Sequence, residues 1–211
     1  MKKSVLLVFV LLLMLGGLSH ANQTFWFTCI TNNNSTNAEI GENQLSLDVT
    51  DIGQGQALFT FSNSGSKDAV VKNIIFEDSK GLLDFDSFST SANGVNFVEN
   101  NKNLNLPGGN APPVYFNESY GFSANAPAPK KGVGPGESLG IVFDLNGTDF
   151  NGLVSSMQSD QLRIGTHVIA YQNNGSESFI SKCRNGVAVV PVPGALILAA
   201  FGLAAIRFKK S

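Results

Sequence analysis

The sequence predicts a mainly β domain, an antiparallel β-sandwich with one short helix, set between an N-terminal signal peptide and a C-terminal transmembrane helix. Three observations predict it. Between residues 22 and 186 the chain offers roughly seven to ten short stretches of β-prone, alternating residues punctuated by Asn, Gly and Ser. Both ends are uncharged apolar runs flanked by cations, Lys2 and Lys3 at one end and Arg207, Lys209 and Lys210 at the other. All 16 acidic residues lie in the middle, with 9 of the 14 Lys and Arg, so that interval carries 9 minus 16, or −7, against −2 for the whole chain. An acidic domain without a basic stripe repels nucleic acid, and nucleic-acid binding is excluded on that ground.

At the start, Lys2 and Lys3 precede an apolar run over residues 5–15, then Gly16-Gly17 and the small-x-small site Ser19-His20-Ala21. This order is that of a secretory signal peptide, residues 1–21, cleaved between Ala21 and Asn22.

The predicted sandwich, residues 22–186, is about the size of one domain and long enough for a real core. Phe25-Trp26-Phe27-Thr28-Cys29 is its first strand, ended by the Asn-rich residues 32–37. Leu45, Leu47 and Val49 alternate with Ser46, Asp48 and Thr50. Gly53-Gln54-Gly55 then turns the chain, and Ala57, Phe59 and Phe61 alternate back, so a hairpin is expected. Residues 69–76 form a third strand, and 82–88 and 95–98 two further short ones. Two Gly- and Pro-rich stretches, 106–113 and 127–135, are excursions between strands and not domain linkers. Residues 139–145 are a strand centred on Ile141 and Phe143. Thr148 or Asp149 then caps a helix whose apolar positions, Phe150, Leu153, Val154 and Met157, recur with helical spacing. Leu162, Ile164, Thr166, Val168 and Ala170 alternate along one more strand. Asn174-Gly175 supplies a type I′ turn, and residues 176–181 return.

The domain holds two cysteines, Cys29 near its start and Cys183 near its end. In an exported protein the simplest expectation is a disulfide that staples the first strand to the last. Closing so long a loop constrains the unfolded chain by on the order of 5 kcal/mol.

The last segment, residues 187–211, has three parts in order: Val190-Pro191-Val192-Pro193-Gly194-Ala195, an apolar run to Ile206, and the tip Arg207-Phe208-Lys209-Lys210. Pro191 and Pro193 lack N–H donors and keep their surroundings extended. From Gly194 to Ile206 a helix would reach roughly 20 Å; counting back to Val187, the uncharged run is about twenty-one residues, enough for a core of about 30 Å. The cationic tip stays on the cytoplasmic side, a basic anchor. An ordinary core helix is the alternative, but residues 187–206 offer no polar face.

These tail residues resemble the PEP-CTERM sorting signal of exported bacterial proteins. Val190, Pro191 and Pro193 match its Val-Pro-Glu-Pro opening, and Val192 stands where Glu is commonest. The resemblance implies an exosortase, a membrane-embedded transpeptidase, as partner, with cleavage near the Pro pair. A second likeness, in patches over residues 45–180, is to ectodomains of the same class of proteins: Leu106-Pro107-Gly108-Gly109, Gly134-Pro135-Gly136-Glu137, Leu162-Arg163-Ile164-Gly165 and Gly175-Ser176-Glu177-Ser178-Phe179. It implies an association with exopolysaccharide and no assigned activity.

The inventory for chemistry is short. His167 is the sole histidine left after signal cleavage, and it sits mid-strand. Gly175-Ser176-Glu177-Ser178-Phe179 lacks the closing Gly of a nucleophile elbow. Glu77, Asp78, Asp84 and Asp86 form the densest acidic patch, with a solvated loop expected over a weak Ca²⁺ site. Asn34, Asn117, Asn146 and Asn174 each open an Asn-x-Ser/Thr triplet, expected by chance in so Asn-rich a chain. The expectation is therefore a non-catalytic surface or matrix protein, with no cofactor and no metal. The alternatives are a sugar- or peptide-binding module, using Trp26, Tyr115, Tyr120 and Tyr171 as stacking aromatics, and a secreted hydrolase built on His167.

Overall fold

The computed structural model describes residues 21–91, 94–100 and 105–183. The strands are β1 (Asn22–Cys29), β2 (Leu45–Gly53), β3 (Gln56–Asn63), β4 (Val70–Asp78), β5 (Leu83–Ser91), β6 (Phe97–Glu99), β7 (Tyr120–Ala124), β8 (Glu137–Leu145), β9 (Leu162–Ile169) and β10 (Glu177–Lys182). The helices are α1 (Ser35–Gln44), α2 (Ala128–Lys131) and α3 (Phe150–Gln158). All strand pairs are antiparallel, and they join one sheet in the order β5-β8-β3-β2-β1-β10-β9-β4-β7-β6.

The two predicted layers belong to one curled sheet. Strands far apart in the ladder meet across its inner face through aromatic rings. Phe76 of β4 lies 5.1 Å from Phe143 of β8 and 5.9 Å from Phe59 of β3, and Phe85 of β5 lies 5.0 Å from Phe122 of β7. Most of these rings meet edge-on or tilted, which suits the ring quadrupole, while Tyr120 stacks flat on Phe76. Leu47, Val49, Phe25, Phe179 and Ile164 continue this core along the inner face.

Strand β2 and strand β3 alternate buried with half-buried residues, as their sequence predicts. Strand β10 is buried at five successive positions, because a long loop covers its outer face. In that loop Leu106 and Phe116 join Ile75 and Ile180 in a second, smaller core on the outside of the sheet, with Ile30 and Val114 packed at its margin. Gly165 makes this approach possible: a Cβ there would lie 2.6 Å from Leu106 Cδ2.

Helix α3 begins where Asp149 accepts the Gly152 N–H at 2.8 Å, and it buries Phe150, Leu153 and Met157, as the spacing predicts. Helix α1 was not expected; the Asn-rich segment reads as a loop. Asn34 caps it through a bond to the Asn37 N–H, and its buried side is Asn37, Ala38, Gly41 and Gln44. That side is small and amide-rich because it lies directly on an aromatic ring: a Cβ at Gly41 would stand 2.2 Å from Phe179 Cζ. Strand β7 was also unforeseen. The turn at Asn174-Gly175 is a longer loop than the two-residue type I′ expected, since Ala170 and Asn174 are left-handed and Gly175 is not.

The expected staple between Cys29 and Cys183 is a correction. The two cysteines are not joined, and the ladder register is the reason. Strand β1 pairs with β10 so that Cys29 faces Phe179 and Trp26 faces Lys182. The same register carries Cys183 toward Phe25, four residues before Cys29, or about 13 Å along a strand. A disulfide tolerates Cα atoms no more than about 7 Å apart. First and last strands are neighbours, as the staple required, but hydrogen bonds hold them together.

Candidate functional site

The sorting-motif residues Val190, Pro191, Val192, Pro193, Gly194 and Ala195 and the basic tip Arg207, Lys209 and Lys210 lie outside the described residues, as does the signal peptide up to Ala21. Ala21 precedes the sheet, and Asn22 opens β1 opposite Thr50. Among the described residues no helix is long and apolar enough to cross a membrane.

The candidate stacking aromatics do not share a face. Tyr120 lies against Phe76, Tyr171 is 2 % exposed, and Trp26 is half-buried. Only Tyr115 stands out, at 60 % exposure, on the tip of the covering loop with a left-handed φ of 39°. Arg163 holds that tip. Its guanidinium donates to the Val114 and Tyr115 carbonyl oxygens at 2.9 and 2.6 Å, pairs through Nε with Glu77, and lies 5.5 Å over the Phe116 ring. Glu77 in turn accepts the Asn117 N–H.

His167 is half-buried on β9, opposite Ser178 of β10. Burial, and then the nearby Lys72, lower its pKa below the ordinary 6.5, so the imidazole is neutral near pH 7. The Ser178 hydroxyl is buried without a hydrogen bond, so no Ser–His relay is assembled between them. The acidic patch is dispersed. Glu77 pairs with Arg163, Asp78 accepts the Leu83 N–H inside the fold, and Asp84 and Asp86 are exposed. Among the described residues no three His, Cys, Asp or Glu converge as metal ligands.

The most organised polar region lies elsewhere, where the β1–α1 segment meets the loop 170–176. Glu177, 1 % exposed, is its anchor. Its carboxylate accepts the Thr31 hydroxyl and the N–H groups of Asn33 and Asn34, the latter two at 2.9 and 2.7 Å. The Cys29 thiol sits 3.7 Å from the same carboxylate, and burial pushes its pKa up from 9.0. Burial also raises the Tyr171 pKa, helped by Cys29 and Glu177, so this phenol stays protonated. Above the anchor, Asn37 Nδ2 donates to Asn173 Oδ1 at 3.1 Å and Asn33 Nδ2 to the Ser176 carbonyl at 3.0 Å, tying the two segments together.

Sequence reasoning missed both Glu177 and this seam. The sequence places Glu177 in the returning strand, in a patch of the ectodomain likeness and in a failed nucleophile elbow, and none of these marks it as an anchor. Its one visible signal is an acid at an inward position of an alternating strand, in line with Phe179. The fold thus defines a mainly β protein built on a curled antiparallel sheet, with a carboxamide-lined seam at one end. The chain matches no family model, no curated protein and no solved structure.

Proposed function

We propose that the chain is an exported, tail-sorted surface or extracellular-matrix protein without catalytic activity of its own, associated with exopolysaccharide. In this reading residues 1–21 are a signal peptide and 22–186 a sandwich-like ectodomain. Residues 187–211 are a sorting tail that spans the membrane until an exosortase-type transpeptidase cuts near Pro193. The observation that carries it is the division of charge. All 16 acids lie between the two ends, and the apolar run after Pro193 finishes in Arg207, Lys209 and Lys210.

The sheet supports the reading. The chain enters the sheet on β1 at Asn22 and leaves it on the neighbouring, antiparallel β10 at Lys182, opposite Trp26. Entry and exit on adjacent strands suit a domain held at a single surface.

Intact-mass measurement of the protein recovered outside the cell tests this reading. The expected mass lacks residues 1–21 and those beyond about Pro193. A recovered chain that still carries Lys210 overturns sorting by cleavage.

A further inference from the structure

We propose that the recess between α1 and the loop 170–176 binds an uncharged, hydroxyl-rich ligand, a segment of neutral oligosaccharide. The recess has a volume of 370 Å³ and is lined by Asn34, Thr36, Asn37, Ile40, Gln172 and Asn173. That volume lies within the roughly 300–1,000 Å³ of small-molecule sites. Four of the six lining side chains are carboxamides, one is a hydroxyl and none is charged. A carboxamide offers a donor pair and an acceptor side by side, as does each sugar hydroxyl in a smaller way, so the two match without any ion being desolvated.

Asn37 is the fixed centre of this lining. It is 4 % exposed, and its Nδ2 is already used on Asn173, so its side chain stands in place in the recess wall.

The walls are built before any ligand arrives. Glu177 fixes the Asn33 and Asn34 backbone from beneath, and Asn173 Oδ1 also accepts the Gly175 N–H at 2.9 Å. Three left-handed residues, Asn32, Ala170 and Asn174, shape the two segments. For Ala170, with a Cβ and no side-chain polar group to compensate, that conformation is strained, as residues at binding sites often are. A rigid wall loses little entropy on binding. A neighbouring recess of 180 Å³ shares Ile40 and Gln172 and adds Ser66, Lys67 and Asp68, so the polar track continues with one charge of each sign. An anionic polymer would meet a domain of charge −7 and the buried Glu177 carboxylate, which favours a neutral chain over a uronate.

The test uses the full-length chain in a zwitterionic detergent without a sugar headgroup, so it does not depend on how the tail is processed. Soluble glucans, mannans and galactans are presented alongside uronate polymers of similar length, up to several millimolar, and binding is read by calorimetry. At least one neutral class is expected to bind, in preference to the uronates. The double substitution Thr36→Ala with Gln172→Ala, both at exposed positions, should weaken that binding about tenfold, the loss of two hydrogen bonds. Gln172→Glu, which preserves shape, should weaken it too, and Tyr115→Ala should leave it unchanged. The proposal is overturned if no neutral glycan binds, if the uronates are preferred, or if the double variant binds as tightly as the parent.

Discussion

The β2–β3 hairpin and the β9–β10 pair are both antiparallel ladders of one sheet, yet their outer faces have opposite fates. Along β2 and β3 the outward residues, among them Ser46, Asp48, Thr60 and Ser62, remain half-exposed. On β9 and β10 the outward Gly165 and Ile180 are buried, because the loop carrying Leu106 and Phe116 lies over them. One ladder is covered on a single side and the other on both. The lesson is that a Pro- and Gly-rich excursion can act as a structural layer. It needs two apolar anchors, a glycine beneath them to admit close approach, and a cation to tie down its tip.

The sharpest way to break the contrast is to remove one ring from each core. Phe76→Ala strikes the inner core, where Phe76 meets Phe59, Phe61, Phe122 and Phe143, and should cost about 3–5 kcal/mol in urea unfolding, felt by every strand. Phe116→Ala, in the outer core, should cost less overall and raise hydrogen exchange chiefly at residues 105–119 and on β9 and β10. Equal loss of protection on β2 and β3 would show that the two layers are one cooperative unit.

A smaller effect is expected from Arg163→Met. It keeps the apolar stem but leaves Glu77 and the Val114 and Tyr115 carbonyls without their cation, at a cost of about 2–3 kcal/mol. The Tyr115 tip should then exchange freely while β1 to β3 stay protected. If residues 105–119 keep their protection, the guanidinium is not what ties the loop down.

The smallest effect belongs to His167, at the half-covered margin between the two regimes. Its pKa is depressed in the folded state, so the stability it contributes is fully present above pH 6.5 and is lost as pH falls through the lower folded value. The parent should therefore lose stability more steeply below pH 6.5 than His167→Asn does. Identical pH profiles for the two proteins would mean that burial of the imidazole has no energetic consequence.

The same contrast explains what could be read from the chain. The β2–β3 hairpin, β9 and the Asp149-capped α3 were legible because each shows one face to water and one to the core, and period reports that directly. Helix α1 was hidden because its buried side faces the Phe179 ring at contact distance. Asn37, Ala38 and Gly41 fit there, and such residues resemble a loop. Strand β7 was hidden by its brevity, although Tyr120, Phe122 and Ala124 do alternate. The cysteine pairing failed for a different reason: two residues can belong to adjacent strands and still stand four places out of register. The carboxamide recess could not be read at all, since it depends on the loop 170–176 coming beside a segment some 140 residues earlier in the chain. Only the richness in Asn was visible in advance.

The pairing of β1 with β10 also opposes the order of synthesis to the order of assembly. Of the described strands β1 is made first, with Phe25 and Phe27 needing cover, but one of its two ladder neighbours, β10, is made after all the others. Until Glu177 and Phe179 arrive, one edge of that strand stays unzipped and α1 has no ring to rest on. Contacts so distant along the chain slow the final step. Until then the domain is a ribbon waiting for its clasp.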